Sequence, residues 1–207
     1  MRCIYNIEKM IPIGATLDAL SQAPTVVPKS PVAGTLYPIV GVLDTGIASN
    51  QFLQGWREPI EFTGYPQDYQ DPSHGTFVAG IIEYEDELNH STHTALQGVR
   101  LFDATVYPDE KKEHIYQDDL AEHIREAVER HSDIKIWNLS PSPFTRIGPG
   151  PGSIVKPDLV FYGGNAGMNN GKLTTTEVPS FTPDGKPAYN VGTGFSTPWV
   201  SRMAAEL

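Results

Sequence analysis

Tyr37-Pro-Ile-Val-Gly-Val-Leu-Asp-Thr-Gly46 is a short, nearly continuous apolar run that stops on a carboxylate and a turn. It is rich in β-branched residues and shows no polar alternation, the pattern of a central strand covered on both faces. A strand with two faces to bury needs helices above and below it, so the run predicts an α/β architecture: a parallel sheet flanked by helices on both faces. Asp44 then falls at the carboxyl end of that strand, where ligands and chemistry collect in open α/β sheets.

The elements on either side fit this reading. Upstream, Ala23 to Gly34 holds Pro24, Pro28 and Pro31 and reads as an extended lead-in. Downstream, Ser73-His74-Gly75 opens a helix of small residues expected over Thr76 to Ile82. Val99 to Val106 is the next expected strand, although Asp103 sits in its middle. Gln117 to His131 is the clearest helix, with Leu120, Ile124, Ala127 and Val128 on one face, acids in its first turn and Arg130 and His131 in its last. Ile134 to Leu139 is expected as a strand, Pro141 to Gly152 as loop, Lys156 to Tyr162 as a strand, and Thr197 to Leu207 as a helix with Pro198 near its start. Strand and helix alternate, as in a parallel sheet.

With 207 residues, 39% of them hydrophobic, the chain has the makings of one sizeable core rather than two. We divide it into a lead-in over 1–36 and one folded domain over 37–207. A net charge of -10 with no basic cluster argues against nucleic acid and against anionic membrane surfaces as partners. Cys3 is the only cysteine, so neither a disulfide nor a cysteine-based zinc site is read. Residues 1–20 lack the apolar stretch of a secretory signal, and with Met1 as the true start a cytoplasmic location is expected.

Three segments carry chemistry. Val-Gly-Val-Leu-Asp44-Thr-Gly-Ile presents a carboxylate, Ser-His74-Gly-Thr-Phe-Val-Ala-Gly an imidazole, and Asn190-Val-Gly-Thr-Gly194-Phe-Ser-Thr-Pro-Trp-Val-Ser-Arg-Met-Ala-Ala a small-residue turn entering a helix. A base and a carboxylate to orient it are two of the three groups that serine-type peptide hydrolysis needs. In sequence and in order the three segments resemble the aspartate, histidine and serine segments of the subtilases, the subtilisin-like serine proteases of peptidase family S8. Gly98-Val-Arg-Leu-Phe and Ile136-Trp-Asn-Leu-Ser140 are similar to smaller family segments, the second to the strand that pairs with substrate. The resemblance implies a three-layer subtilisin-like domain, serine endopeptidase activity and a peptide or protein substrate. It assigns Asp44 and His74 to the triad and Asn138, Leu139 and Ser140 to substrate binding. Calcium is common in the family, but its loops vary and no residue here is named for it.

Two departures qualify what the resemblance implies. The family's nucleophile position in Gly-Thr-X-Phe-Ser-Thr-Pro holds Gly194, which has no side-chain oxygen, and Ser196 two residues on is read as a packing residue. The stretch that in the family carries the oxyanion asparagine is also missing, because Ser140 runs almost directly into Ser142-Pro-Phe-Thr-Arg-Ile-Gly-Pro. Asn165 in Gly163-Gly-Asn-Ala-Gly167 is a candidate replacement, but Ile154-Val-Lys-Pro-Asp-Leu-Val before it matches a later part of the family pattern. The domain is therefore read as internally shortened near 140–142 and truncated at its C-terminal end, in a form silenced at the nucleophile.

Other readings are set against this one. Asp-Thr-Gly also marks aspartic proteases, but that mechanism needs two such carboxylates and has no use for His74. A pseudoprotease that binds peptides along Ile136 to Ser140 without cutting them stays open beside the silenced endopeptidase. His90 and His93 lack a third metal ligand and read as loop. Glu83, Glu85, Asp86 and Glu87 read as a solvated face, which near a family substrate cleft would favour basic peptides.

Overall fold

The structure is a computed structural model that describes residues 26–90, 94–139, 148–149, 155–156, 161–169 and 172–207. Strand β1 (Ile39–Asp44) forms its axis, pairing in parallel with β3 (Arg100–Thr105) on one side and β4 (Ile136–Leu139) on the other. The short β2 (Phe62–Thr63) adds to β3, giving the all-parallel order β2-β3-β1-β4. Side chains alternate along β1 as the pleat requires. Val40 and Val42, both fully buried, join a core with helix α1 (Ser73–Asn89) and helix α3 (Thr197–Ala204). Ile39 and Leu43 join a second core with Leu120, Ile124, Ala127 and Val128 of helix α2 (Gln117–Arg130). The sheet is thus covered by α1 and α3 on one face and by α2 on the other, an α/β three-layer arrangement. Gly41 faces the α2 side, where a Cβ would stand 2.3 Å from the Trp137 ring, so the indole reaches the strand this closely only because residue 41 is glycine.

Helix α2 begins at the expected residue and ends one residue early, because its apolar face and its charged ends agree with each other. Strand β3 tolerates Asp103 because the carboxylate is not left alone. Asp103 Oδ2 accepts hydrogen bonds from the Ile47 N–H at 2.9 Å and from Arg57 at 3.0 Å. Burial pushes the Asp103 carboxyl up to about 6, against these two partners. The C-terminal helix stops at Ala204 rather than Leu207, and Trp199 and Arg202 anchor it in the interior.

Elsewhere the structure departs from the expectations. Of the strand expected over 156–162, Lys156 belongs to β6 (Val155–Lys156), which pairs antiparallel with β5 (Gly148–Pro149), residues 161–162 are irregular, and 157–160 lie outside the described residues. Apart from β5, the loop expected over 141–152 also lies outside them. Two hairpins follow, β7 (Asn165–Asn169) with β8 (Lys172–Thr176), and β9 (Val178–Phe181) with β10 (Pro187–Asn190). The β9–β10 connection is Thr182-Pro-Asp-Gly-Lys186, where Gly185 has φ +75° and its N–H donates to the Thr182 carbonyl, a turn chemistry legible in advance. β9 is buried along its whole length, and its Ser180 hydroxyl donates to the Phe77 carbonyl of α1 at 2.5 Å.

The largest correction concerns α1. It runs to Asn89, with a kink at Tyr84 and a left-handed cap at His90, and its acidic stretch is not a solvated face. Glu83 and Glu85 are fully buried. Glu83 Oε2 accepts the Val99 N–H at 2.8 Å and lies 3.9 Å from Arg202, while Oε1 is 3.3 Å from Lys29 of the lead-in. Neither carboxyl oxygen of Glu85 has a hydrogen-bond partner among the described residues. Burial pushes Glu83 up to about 7, with Lys29, the Val99 N–H and Arg202 pulling against it. Burial pushes Glu85 up to about 8, with Asp86 and Glu87 adding to the rise and Arg202 and Lys29 opposing it. No helix among the described residues is long and apolar enough to cross a membrane.

These carboxyls hold protons more tightly folded than unfolded. Their contribution to stability is therefore complete below the unfolded value of 4.5 and is lost as pH rises through about 7 to 8. Melting temperature should fall from pH 5.5 to 8.5, each such group contributing up to about 1.4 kcal/mol per pH unit. Glu85→Gln should melt near the parent at pH 5.5 and above it at pH 8.5. A parent melting temperature that is flat or rising over this range would contradict the assignment.

Candidate active site

Asp44 ends β1 and is 1% exposed. Its backbone is fixed by β3, because its carbonyl accepts the N–H groups of Val106 at 2.9 Å and Tyr107 at 3.2 Å. Its Oδ1 also accepts the Thr45 N–H at 2.8 Å, so the carboxylate is aimed before any other side chain reaches it. His74 stands in the first turn of α1, on the far side of the Asp44-Thr-Gly46 turn. The helix reaches the turn because Gly75 lies directly on Gly46, which has φ +106°: a Cβ on residue 75 would be 2.3 Å from the Gly46 carbonyl oxygen. Two threonine hydroxyls tie the segments together. Thr45 Oγ1 accepts the Gly75 N–H at 3.2 Å, and Thr76 Oγ1 accepts the Ala48 N–H at 2.8 Å.

The outcome is a close pair. His74 Nδ1 lies 2.8 Å from Asp44 Oδ1 and 3.0 Å from Oδ2. An ionised carboxylate only accepts, which assigns the proton to Nδ1 and leaves Nε2 as the acceptor of the neutral ring. The imidazole side chain is 43% exposed, whereas the carboxylate beneath it is 2% exposed. Burial acts to lower the imidazole pKa, but the hydrogen bond to Asp44 and the Asp44 charge outweigh it and raise the value above 6.5. Such a ring can take a proton on its open nitrogen and hold the resulting charge against Asp44, the behaviour of an oriented general base.

Gly194 is the middle residue of a 3-10 turn, Thr193–Phe195, that leads into α3. The structure brings this segment to the pair through Phe195, whose ring is 5.6 Å from the His74 ring and 4.7 Å from that of Phe77. Ser196 is the half-buried residue at the start of α3. Asn138 is fully buried in β4, and its Oδ1 accepts the Ser201 hydroxyl of α3 at 3.0 Å. Its side chain therefore holds helix to sheet, and only its main chain could address a peptide. Leu139 is 39% exposed at the strand end, and Ser140 lies outside the described residues.

Asn165 opens β7, one residue beyond Gly163-Gly164. Gly163 is packed against the serine-segment backbone: its carbonyl accepts the Gly192 N–H at 2.8 Å, and a Cβ there would lie 2.3 Å from the Gly192 oxygen. The Asn165 backbone is thus brought near the 192–196 turn, but nothing is described of its side chain. His90 caps α1 in the open, and His93 lies outside the described residues. Among the described residues no group of three metal-type ligands is assembled.

The supports of the pair are not marked as such in the motifs: Thr45 and Thr76, Phe195, and Tyr107, whose phenol is raised first by burial and then by the Asp44 charge. The two threonines were visible as neighbours of the functional pair, but a hydroxyl beside a motif residue does not announce its partner.

The coupling of His74 to Asp44 is measurable without turnover. With Asp44→Asn, burial is left unopposed, and the His74 titration followed by NMR of its ring carbon should fall from above 6.5 to below it. An unchanged midpoint would mean that the carboxylate does not govern the imidazole.

The sequence matches the family model described as Subtilase family, peptidase S8, over residues 37–142 and 140–207. No curated protein matches it. The two matched stretches together take in every element from β1 to α3, and the chain belongs to the subtilase family of serine-type peptidases.

Proposed function

We propose that this chain is the catalytic domain of a subtilisin-type serine endopeptidase whose nucleophile position is held by Gly194, so that in this form it binds peptide without cutting it. The observation that carries the reading is the Asp44–His74 hydrogen bond of 2.8 Å, with Phe195, the residue after Gly194, against the imidazole. With a serine at 194, the hydroxyl oxygen would attack the peptide carbonyl carbon while His74 Nε2 takes its proton. Asp44 would hold the imidazolium through Nδ1–H, and the same proton would then go to the leaving amine. The substrate would lie along β4, the edge strand of the sheet, whose outer side has no strand partner among the described residues. Main-chain pairing there needs no nucleophile. That the family match falls into two stretches meeting at 140–142 supports an internal shortening at the point where the oxyanion asparagine would otherwise follow.

Gly194 itself also favours the second reading, a pseudoprotease that only binds peptides. Restoring the nucleophile separates the two. In the full-length protein, with the stretch at 140–142 restored, Gly194→Ser should label covalently with a fluorophosphonate and hydrolyse peptides, and His74→Ala in that background should abolish both. Its rate should rise with pH to a midpoint above 6.5, because the working base is neutral His74, whose pKa is raised by Asp44. Asp44→Asn in the same background should cut the rate by about 10⁴. Gly194→Ser that folds, binds peptide and neither labels nor cleaves would replace the endopeptidase with the peptide binder.

A further inference from the structure

An open cleft of about 380 Å³ lies between the stretch from β2 to α1 and the first turns of α2, lined by Tyr65, Tyr69, Glu113, Tyr116, Asp119 and His123 among others. It sits at the carboxyl edge of the sheet, as Asp44 does. Tyr65 and Tyr69 follow β2, Glu113 and Tyr116 follow β3, and the two stretches are tied where the Asp109 N–H donates to the Tyr69 carbonyl at 2.7 Å. Tyr69 precedes His74 by five residues. The cleft plays no part in the chemistry derived above.

Its lining has a specific character. Three tyrosine rings supply negative π faces, and two carboxylates supply full negative charge. Tyr65 and His123 meet edge to face, with centroids 4.9 Å apart and planes at 82°. Tyr65 Oη and His123 Nδ1 are both enclosed and have no hydrogen-bond partner among the described residues. The His123 ring packs over Gly64, where a Cβ would come within 2.7 Å of Nδ1, so the glycine makes room for it. Two basic side chains of the neighbouring segments are engaged elsewhere. Lys112 donates to the Asp68 carbonyl and pairs with Asp109, and Arg125 pairs with Glu122. The Tyr65 phenol is raised, first by burial and then by the charges of Asp119 and Glu113, so the two carboxylates are felt at the ring.

Aromatic faces with carboxylates attract a cation that can lie flat on a ring while pairing with an acid. The charge disfavours anionic ligands, and no group of three metal-type ligands is assembled among the described residues. We propose that this cleft receives a basic side chain, best an arginine, of a polypeptide held along the same edge of the sheet. Guanidinium fits better than ammonium because it is planar, stacks on tyrosine and offers paired N–H donors to a carboxylate. The identity of the carrier as a bound peptide rests on the peptide-binding reading above. The recognition of the cation does not.

The test uses the chain as it stands and Nα-acetyl-arginine methylamide as probe, with the citrulline analogue as its neutral isostere. In two-dimensional NMR at low ionic strength, the arginine compound should shift resonances of residues 64–70 and 113–123 saturably. The citrulline compound should bind at least tenfold more weakly. Glu113→Gln together with Asp119→Asn, both at exposed positions, should weaken the arginine compound at least tenfold and leave the citrulline compound unchanged. Absence of binding, equal binding of the two probes, or an unaffected double variant would each overturn the proposal. Because the probe is a single blocked residue, the result is independent of whether Gly194→Ser cleaves peptides.

Discussion

The approach of α1 to the end of β1 is the constraint on which the remaining geometry depends. Gly75 rests on the Gly46 carbonyl at a separation no side chain would tolerate, and that contact sets both where the helix starts and how far His74 stands from Asp44. Were the helix lifted by the width of one methyl group, the hydrogen bond of 2.8 Å would be broken and the Thr45 and Thr76 hydroxyls would lose their N–H donors. The two glycines thus act on chemistry through sterics alone, and the two threonines make that contact directional. Phe195 then completes the enclosure from a third segment far away in the chain.

Behind the site, the same helix is held by charge. Arg202 of α3 is 1% exposed and gives its N–H groups to the carbonyls of Ile82, Glu83 and Leu96 and to the Thr94 hydroxyl. Lys29 reaches the same region from the lead-in, lying 4.8 Å from the centre of the Tyr84 ring and pairing with Glu83 and Glu87. One residue past Glu83, the helix departs from α geometry at Tyr84, whose hydroxyl donates to the Phe52 carbonyl at 3.0 Å. The buried acids mark where α1, α3 and the lead-in are joined. Burial of a carboxylate is tolerable because a guanidinium and an ammonium flank it, and because part of the cost is met by protonation.

Much of the sheet and the Asp–His pairing was legible because local and global signals coincide there. β1 is apolar throughout, α2 has a clean apolar face with acids at its start, and Asp44 and His74 each sit in a distinctive local pattern. Legibility failed where the deciding partner is distant. Nothing local to Glu83 indicates that Arg202 and Lys29 converge on it, so from the sequence the acidic stretch reads as solvent-exposed and the helix as ending at Ile82. The β9–β10 hairpin carries an evident Pro-Asp-Gly turn but flanks it with residues of mixed polarity, such as Ser180, whose burial depends on a carbonyl of α1. The buried side chain of Asn138 was likewise hidden, since its partner Ser201 lies 63 residues away in sequence.

The spread of these partnerships along the chain bears on the order in which the site can assemble. Asp44 and His74 are separated by 30 residues, and the loop between them closes at modest entropic cost. The contacts of Arg202 with Ile82 and Leu96 span 120 and 106 residues, and they must form across nearly the whole domain. Long closures of this kind are slow relative to local ones. A chain in the course of folding would therefore bring Asp44 and His74 together before the turn that carries position 194 docks. In a nucleophile-bearing relative with the same connectivity, that ordering would withhold hydrolytic competence until the domain around it was essentially complete, so that neighbouring unfolded chains were spared.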